Sequence, residues 1–254
     1  MFKFGIVSAK STMDIQNNIE TIAHFAQKAN ELGCTALCFP ECFLTGYSRE
    51  QSGSRAITMD SEPCAQISEL AFHWKLDLLV GLMEQEADTL YINHSIFYRN
   101  GTLRSYRKTH LGSRESAIFE SGDSLRTFPL SCGIHVGFQL CVETHFPEIT
   151  QTLALRGASV IFAPHAVPIT AGNRETIWNK YIPARSYDNR VYMACCNLWD
   201  GEHYSGGLLV TAPNGETIIS SYKDVPEMVI FEVDTDKNWK RHFFPDCRRT
   251  ELYD

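Results

Sequence analysis

Long apolar runs are missing from this 254-residue chain. No stretch approaches the roughly 20 residues that a membrane-spanning helix requires, so no membrane partner is expected. A basic excess is missing too. The formal net charge is −7, which argues against nucleic acid and anionic surfaces as partners. No low-complexity segment, internal repeat, linker or block of one charge sign interrupts the chain, and residues 1–254 are expected to form one domain. The opening segment MFKFGIVSAKSTMDIQNN lacks the basic region, apolar stretch and cleavage site of a secretory signal. The cysteines number nine, an odd count, and 44 % hydrophobic residues can build a core without cross-links. Reduced thiols in a cytoplasmic protein are the expectation.

Several chemical signatures are absent as well. There is no Cys-x-x-Cys, no His-Glu-x-x-His, no Gly-x-Ser-x-Gly elbow, no phosphate loop and no dinucleotide fingerprint, so no cofactor and no metal is implied. Cys34, Cys38 and Cys42 recur every four residues, but on an extended strand such residues stand roughly 13 Å apart, too far to share one ion. Cys195 and Cys196 are adjacent, so a strand turns them to opposite faces.

What is present alternates between strand-like and helix-like stretches. Lys3–Ala9 reads as a first strand. Ile15, Ile19, Ile22, Ala26 and Ala29 form one helical stripe ending at Gly33. Cys34–Pro40 reads as a strand, Pro63–Lys75 as a helix and Asp77–Glu84 as a strand. Leu90–Tyr98 and Thr102–Tyr106 form a hairpin through Asn100-Gly101. Strand Gly133–Leu140, helix Pro147–Gly157 and strand Ala158–Ala163 follow. Asn173–Asn189 is helical with a kink or break at Pro183. Strand Val191–Asn197, a hairpin at Pro213-Asn214-Gly215 and strand Met228–Val233 complete the set. The tail Trp239–Asp254 is expected to dock on a partner surface. This mixture of βα units and hairpins points to an α/β protein with two sheets packed face to face and helices outside.

Three apolar strands end in reactive residues. Glu41 ends CTALCFPE, Lys108 sits in SYRKTHLG, and Cys141 ends GIHVGFQLC. Strand ends in α/β folds open onto the ligand crevice, and an unpaired charge after a buried strand is costly. Their chemistry is complementary: Glu41 as base for the Cys141 thiol, Lys108 to favour thiolate and oxyanion, and the Val142 N–H as a second oxyanion donor. The residues alone leave open a structural ion pair beside an inert core thiol.

The segments FPECFLTGY, YRKTHLG and GFQLCVETHFPE, in that order, resemble the three signatures of the nitrilase superfamily of carbon–nitrogen hydrolases. The likeness continues through GASVIFAPHA, WNKYIPARSYDN, GGLLVTAPNGE and RRTELY. It implies a four-layer αββα sandwich of two mixed sheets and a Glu41–Lys108–Cys141 triad. It also implies a second glutamate that orients the lysine, with Glu115 the candidate and Glu120 its rival. The implied activity is hydrolysis of a non-peptide C–N bond in a small amide or N-carbamoyl substrate, with nitrile hydrolysis as the alternative. A non-catalytic binding or scaffold member would have lost one of the three residues. The family also implies a homodimer or higher homo-oligomer. Where many relatives carry tyrosine, aspartate and arginine around the nucleophile, this chain has Val142, Glu143 and His145. His145 and His165 are either substrate contacts or hydrogen-bonded structural histidines. Arg174 is either a bidentate partner for a substrate carboxylate or a surface arginine. Tyr47 either caps the pocket or packs its loop.

Overall fold

The structure, a computed structural model, describes residues 1–234 and 243–252. The expectation for Trp239–Asp254 therefore lies partly outside the described residues. The first sheet takes β1 (Phe2–Ser8), β2 (Ala36–Cys38), β3 (Asp77–Glu86), β4 (Thr89–Phe97) and β5 (Leu103–Arg107). The second takes β6 (Thr127–Pro129), β7 (His135–Phe138), β8 (Val160–His165), β9 (Tyr192–Asn197), β10 (Leu208–Thr211) and β11 (Thr217–Ser221). The last strand, β12 (Glu227–Val233), returns to the first sheet, giving the orders β12-β1-β2-β3-β4-β5 and β11-β10-β9-β8-β7-β6. In each sheet three central strands run parallel (β1-β2-β3 and β7-β8-β9) and antiparallel strands flank them. Both sheets are mixed, as expected.

Alternation along the strands builds the layers. On β1, Phe4 and Ile6 turn to one side and pack with Phe162 and Val160 of the other sheet; Phe4 and Phe162 rings lie 6.2 Å apart. Val7 turns to the other side, against Ile19, Ile22 and Phe25 of α1 (Ile15–Glu31) and Ile67 and Ala71 of α3 (Glu62–Trp74). Between these helices lies α2, a single turn at Ser52–Arg55. On the second sheet, Cys196 faces the inter-sheet core, while Cys195 faces α4 (Pro147–Leu155) and α6 (Ile182–Asn189). The result is helix, sheet, sheet, helix. Each fully buried aliphatic or aromatic side chain here contributes about 1.5–3 kcal/mol.

The stretch expected to be helical from Asn173 to Asn189 is two helices, α5 (Arg174–Trp178) and α6, and Pro183 sits in the first turn of α6. Proline lacks an N–H, and the first turn is where none is needed. β2 is shorter than the apolar run Cys34–Pro40, because the chain leaves the sheet to wrap over β3. Phe39 N–H donates to Leu79 O and Leu44 N–H to Gly81 O, both at 2.9 Å. A Cβ on Gly81 would lie 2.5 Å from Cys42 N and 2.9 Å from Pro40 O. Glycine at 81 is what lets the Glu41 segment lie directly on β3.

Candidate active site

Each reactive side chain follows a strand. Glu41 stands three residues past β2, Lys108 one past β5 and Cys141 three past β7. The Lys108 backbone is held on both sides, its N–H on Ile92 O and its carbonyl accepting from Gly122 N–H, each at 2.8 Å. Cys141 opens a 3-10 turn, Cys141–His145, and has φ 46°; Cys42, beside Glu41, has φ 52°. Left-handed backbone is strained for a residue with a Cβ, and it persists where the surrounding structure enforces it. Gln139 supplies part of that enforcement, its side-chain amide donating to Glu143 O (2.7 Å) and Phe146 O (3.1 Å).

Lys108 is fully buried between two carboxylates. Its Nζ lies 2.8 Å from Glu41 Oε1 and 2.9 Å from Glu115. Glu41 is 1 % and Glu115 7 % exposed. Glu41 Oε2 also accepts from Ala166 N–H at 3.1 Å. Glu115 accepts from Tyr47 Oη at 3.0 Å and from Gly112 N–H at 2.7 Å. Glu120 is exposed, and its backbone N–H bonds Leu90 O.

Two carboxylates around one ammonium have been pushed apart in pKa. Burial dominates at Glu41, and with the nearby Glu115 and Glu143 it outweighs Lys108, pushing Glu41 up to about 7. Burial also opposes ionisation of Glu115, yet Lys108, the Gly112 N–H and Tyr47 together hold it below its ordinary value. Burial alone would lower Lys108, but Glu41, Cys141 and Glu115 hold it above the ordinary lysine value. Cys141 is pushed up to about 12 by burial and by the carboxylates Glu41 and Glu115, against Lys108 and the Ala166 N–H. At neutral pH the site therefore holds a thiol, a permanently charged lysine, an ionised Glu115 and a Glu41 poised to gain or lose a proton. That is the division of labour general acid–base catalysis uses.

These residues open into a cavity of about 680 Å³ whose wall includes Lys108, Glu115, Cys141, Val142 and Tyr47. Val142 N–H is in the first turn of the 3-10 helix, where a backbone donor has no acceptor within the helix. The other expected site residues lie elsewhere. His165 is buried, its Nδ1 donating to Ala163 O at 2.8 Å and its Nε2 accepting from Trp178 Nε1 at 3.3 Å. Burial lowers it to about 3, which keeps it neutral. His145 is exposed and stacks on Tyr181 at 4.9 Å. Arg174 is nearly buried and donates to the carbonyls of Ala171 (2.7 Å) and Gly172. None of these three lines the cavity.

Glu143 enters the sequence reading only as a departure, yet it joins the segments that carry Lys108 and Cys141. Its Oε1 accepts from Tyr106 Oη (2.7 Å), Thr109 N (2.8 Å), Thr109 Oγ1 (2.7 Å) and His110 N (3.2 Å), and its Oε2 from Leu140 N (2.7 Å). A fully buried carboxylate thus ties the turn after Cys141 to the residues following Lys108. Glutamine would set an NH2 against some of these donors. Glu143→Gln is expected to cost about 3 kcal/mol in urea unfolding, the range for leaving buried donors unpaired. A change under about 0.5 kcal/mol, the ordinary scatter of surface substitutions, would show that the carboxylate is not what holds these segments together.

The geometry meets known proteins at this point. The model of the carbon-nitrogen hydrolase family matches residues 3–239. The chain belongs to this family. A protein named "Hydrolase in pqqF 5'region" from Pseudomonas protegens is 30 % identical over 256 residues, covering 95 % of this chain and 87 % of its own. The omega-amidase NIT2 of Pongo abelii is 28 % identical over 204 residues, covering 76 % and 73 %. Among solved structures, the NitN amidase from Nesterenkonia sp. AN1 superposes with a TM-score of 0.87 at 22 % identity, over 99 % of this chain and 98 % of that one. The two-sheet sandwich of this carbon–nitrogen hydrolase is thus shared with nitrilase-superfamily amidases. Among its described residues no helix is long and apolar enough to cross a membrane.

Proposed function

We propose that this carbon–nitrogen hydrolase cleaves the C–N bond of a small amide, or of the related N-carbamoyl group, through a thioester on Cys141. The observation that carries this is the buried Glu41–Lys108–Glu115 cluster beside a cavity-facing thiol whose own pKa keeps it protonated. Such a thiol needs a base at the moment of attack, and Glu41 is the neighbouring carboxylate whose pKa suits the task. Glu41 takes the Sγ proton as sulfur attacks the carbonyl carbon. The Val142 N–H and the Lys108 ammonium receive the developing oxyanion. Collapse breaks the C–N bond while Glu41 returns the proton to the departing nitrogen, leaving the thioester. Glu41 then takes a proton from water, the hydroxide adds to the thioester, and the thiolate leaves and is reprotonated from Glu41.

Names carried by relatives support the amide reading. A cysteine variant of the Nesterenkonia amidase was crystallised with butyramide, and another variant added acrylamide at its active-site cysteine. A homodimer belongs to the same proposal. Tyr187 of α6 and Phe244 are exposed and stack at 5.7 Å, offering an apolar face to a second copy.

Release of ammonia or amine from a panel of small amides, N-carbamoyl compounds and nitriles tests the reaction. Turnover of an amide or an N-carbamoyl compound is the expected result. Turnover of nitriles alone, or of nothing above the rate without enzyme, would overturn it.

A further inference from the structure

The Val142 N–H and the Cys141 carbonyl belong to one peptide group. That group is planar and trans, so its N–H and C=O point in opposite directions, and whatever fixes the oxygen aims the hydrogen. The oxygen is fixed. The Thr144 hydroxyl donates to Cys141 O at 2.6 Å, and Thr144 Oγ1 lies 3.0 Å from Tyr181 Oη. A hydroxyl has one proton to give, and Thr144 gives it to the carbonyl, which can only accept. At the second contact Thr144 therefore accepts and Tyr181 donates. Burial pushes the Tyr181 pKa up to about 12, so the phenol holds its proton for that bond at neutral pH.

The two side chains join distant parts of the fold. Thr144 is fully buried. Tyr181 stands between α5 and α6, its ring stacked on His145 at 4.9 Å and the Arg185 guanidinium 5.9 Å from its centre. A directed chain of hydrogen bonds thus runs from the outer helical layer to the left-handed backbone at Cys141. Glu143 and Gln139 hold the flanking groups, Leu140 N–H and Glu143 O. Thr144 grips the peptide that carries the Val142 N–H itself.

We propose that Thr144 and Tyr181 are positioning residues whose hydrogen-bond chain, Tyr181 to Thr144 to the Cys141 carbonyl, aims and strengthens the Val142 N–H as an oxyanion donor. This rests on the thioester reaction proposed above and assigns what orients its oxyanion site. A bond accepted at a peptide oxygen polarises the group and makes its N–H a better donor, and successive bonds reinforce one another. The benefit falls where negative charge develops, more than on the neutral carbonyl of a bound amide. Neither side chain lines the cavity, so both act through the backbone of Cys141 and Val142.

Thr144→Val keeps the shape of the side chain and removes its hydroxyl. On the small amide that the wild type hydrolyses fastest, kcat should fall about tenfold with KM within about twofold, the pattern of an interaction lost mainly in the transition state. Thr144→Ser restores the hydroxyl and should stay within about threefold of the wild type, and Tyr181→Phe, which removes only the outer donor, should cost about threefold. Methyl methanethiosulfonate separates aim from packing. The Cys141 sulfur attacks the reagent's sulfenyl sulfur, a disulfide forms, methanesulfinate leaves, and no carbonyl oxygen gains charge. The rate at which the Cys141 peptide gains the methylthio group should therefore be unchanged in Thr144→Val. Modification and turnover falling together would show a displaced thiol and overturn the proposal. So would a serine variant no better than valine, or a loss carried by KM. Should Thr144→Val fail to fold, Tyr181→Phe carries the same comparison, and unchanged kcat there would overturn the chain while leaving the thioester route standing. A Cys141→Ala protein that still hydrolyses the amide would overturn the route, and the chain with it.

Discussion

Cys141→Ala releases no ammonia or amine above the rate without enzyme, a loss on the order of 10⁶-fold, the scale seen when a covalent nucleophile is removed. The size of the effect follows from the mechanism. In the proposed mechanism Glu41 and Lys108 serve an attack that begins at sulfur, and without it neither has a bond to form. The substitution removes one polarisable atom facing a cavity, so the fold should survive and unfold in urea within about 1 kcal/mol of the wild type. Cys132 and Cys247 are the natural controls, the first partly exposed and the second exposed. Alanine at either should leave ammonia release within twofold. A folded Cys141→Ala protein with a hundredth of wild-type turnover would sink the thioester route, because that level demands a second nucleophile.

Much of this arrangement can be read along the chain, for reasons that are local. Pro183 marks the break between α5 and α6 because a ring without an N–H tolerates only the first turn. Gly101 and Gly215 mark their hairpins because both hold the positive φ that a tight turn demands, 84° and 82°. The β3–β4 connection resists such reading. Its turn is Ala87-Asp88, with Ala87 at φ 50°, and no glycine or asparagine announces it. β6 is three residues long and ends in Pro129, too short to show a period of two.

The candidate site divides the same way. Glu41, Lys108 and Cys141 stand out because each breaks an apolar strand pattern. Which carboxylates meet Lys108 depends on chain closure. Glu115 reaches it because Gly112 turns the loop back and Tyr47, 68 residues away in sequence, holds the carboxylate in place. Glu143 shows the limit most plainly. Its five donors come from residues 106–110 and from Leu140, a meeting of two sheets that no spacing rule anticipates.

Glu41→Gln is expected to lower kcat/KM roughly 10³- to 10⁴-fold, the upper range for a lost general base that also serves as general acid. The side chain keeps its shape and can still accept from Lys108, so the loss reads out proton transfer more than packing. The pH profile separates the two. Glu41 must be ionised to take the thiol proton, and burial has raised its pKa to about 7. Wild-type kcat/KM should therefore climb as pH rises through about 7 and then level, since the Cys141 thiol titrates only near 12. Activity is lost on the acid side, where Glu41 is protonated. In Glu41→Gln the residual rate should lose that step near neutrality. Glu115→Gln supplies the complementary sign. Glu115 is one of the negative charges that raise Glu41, so neutralising it makes Glu41 easier to ionise and moves the acid limb to lower pH. An acid limb near 7 that persists unchanged in Glu41→Gln would assign it to another group and remove Glu41 from the role of base.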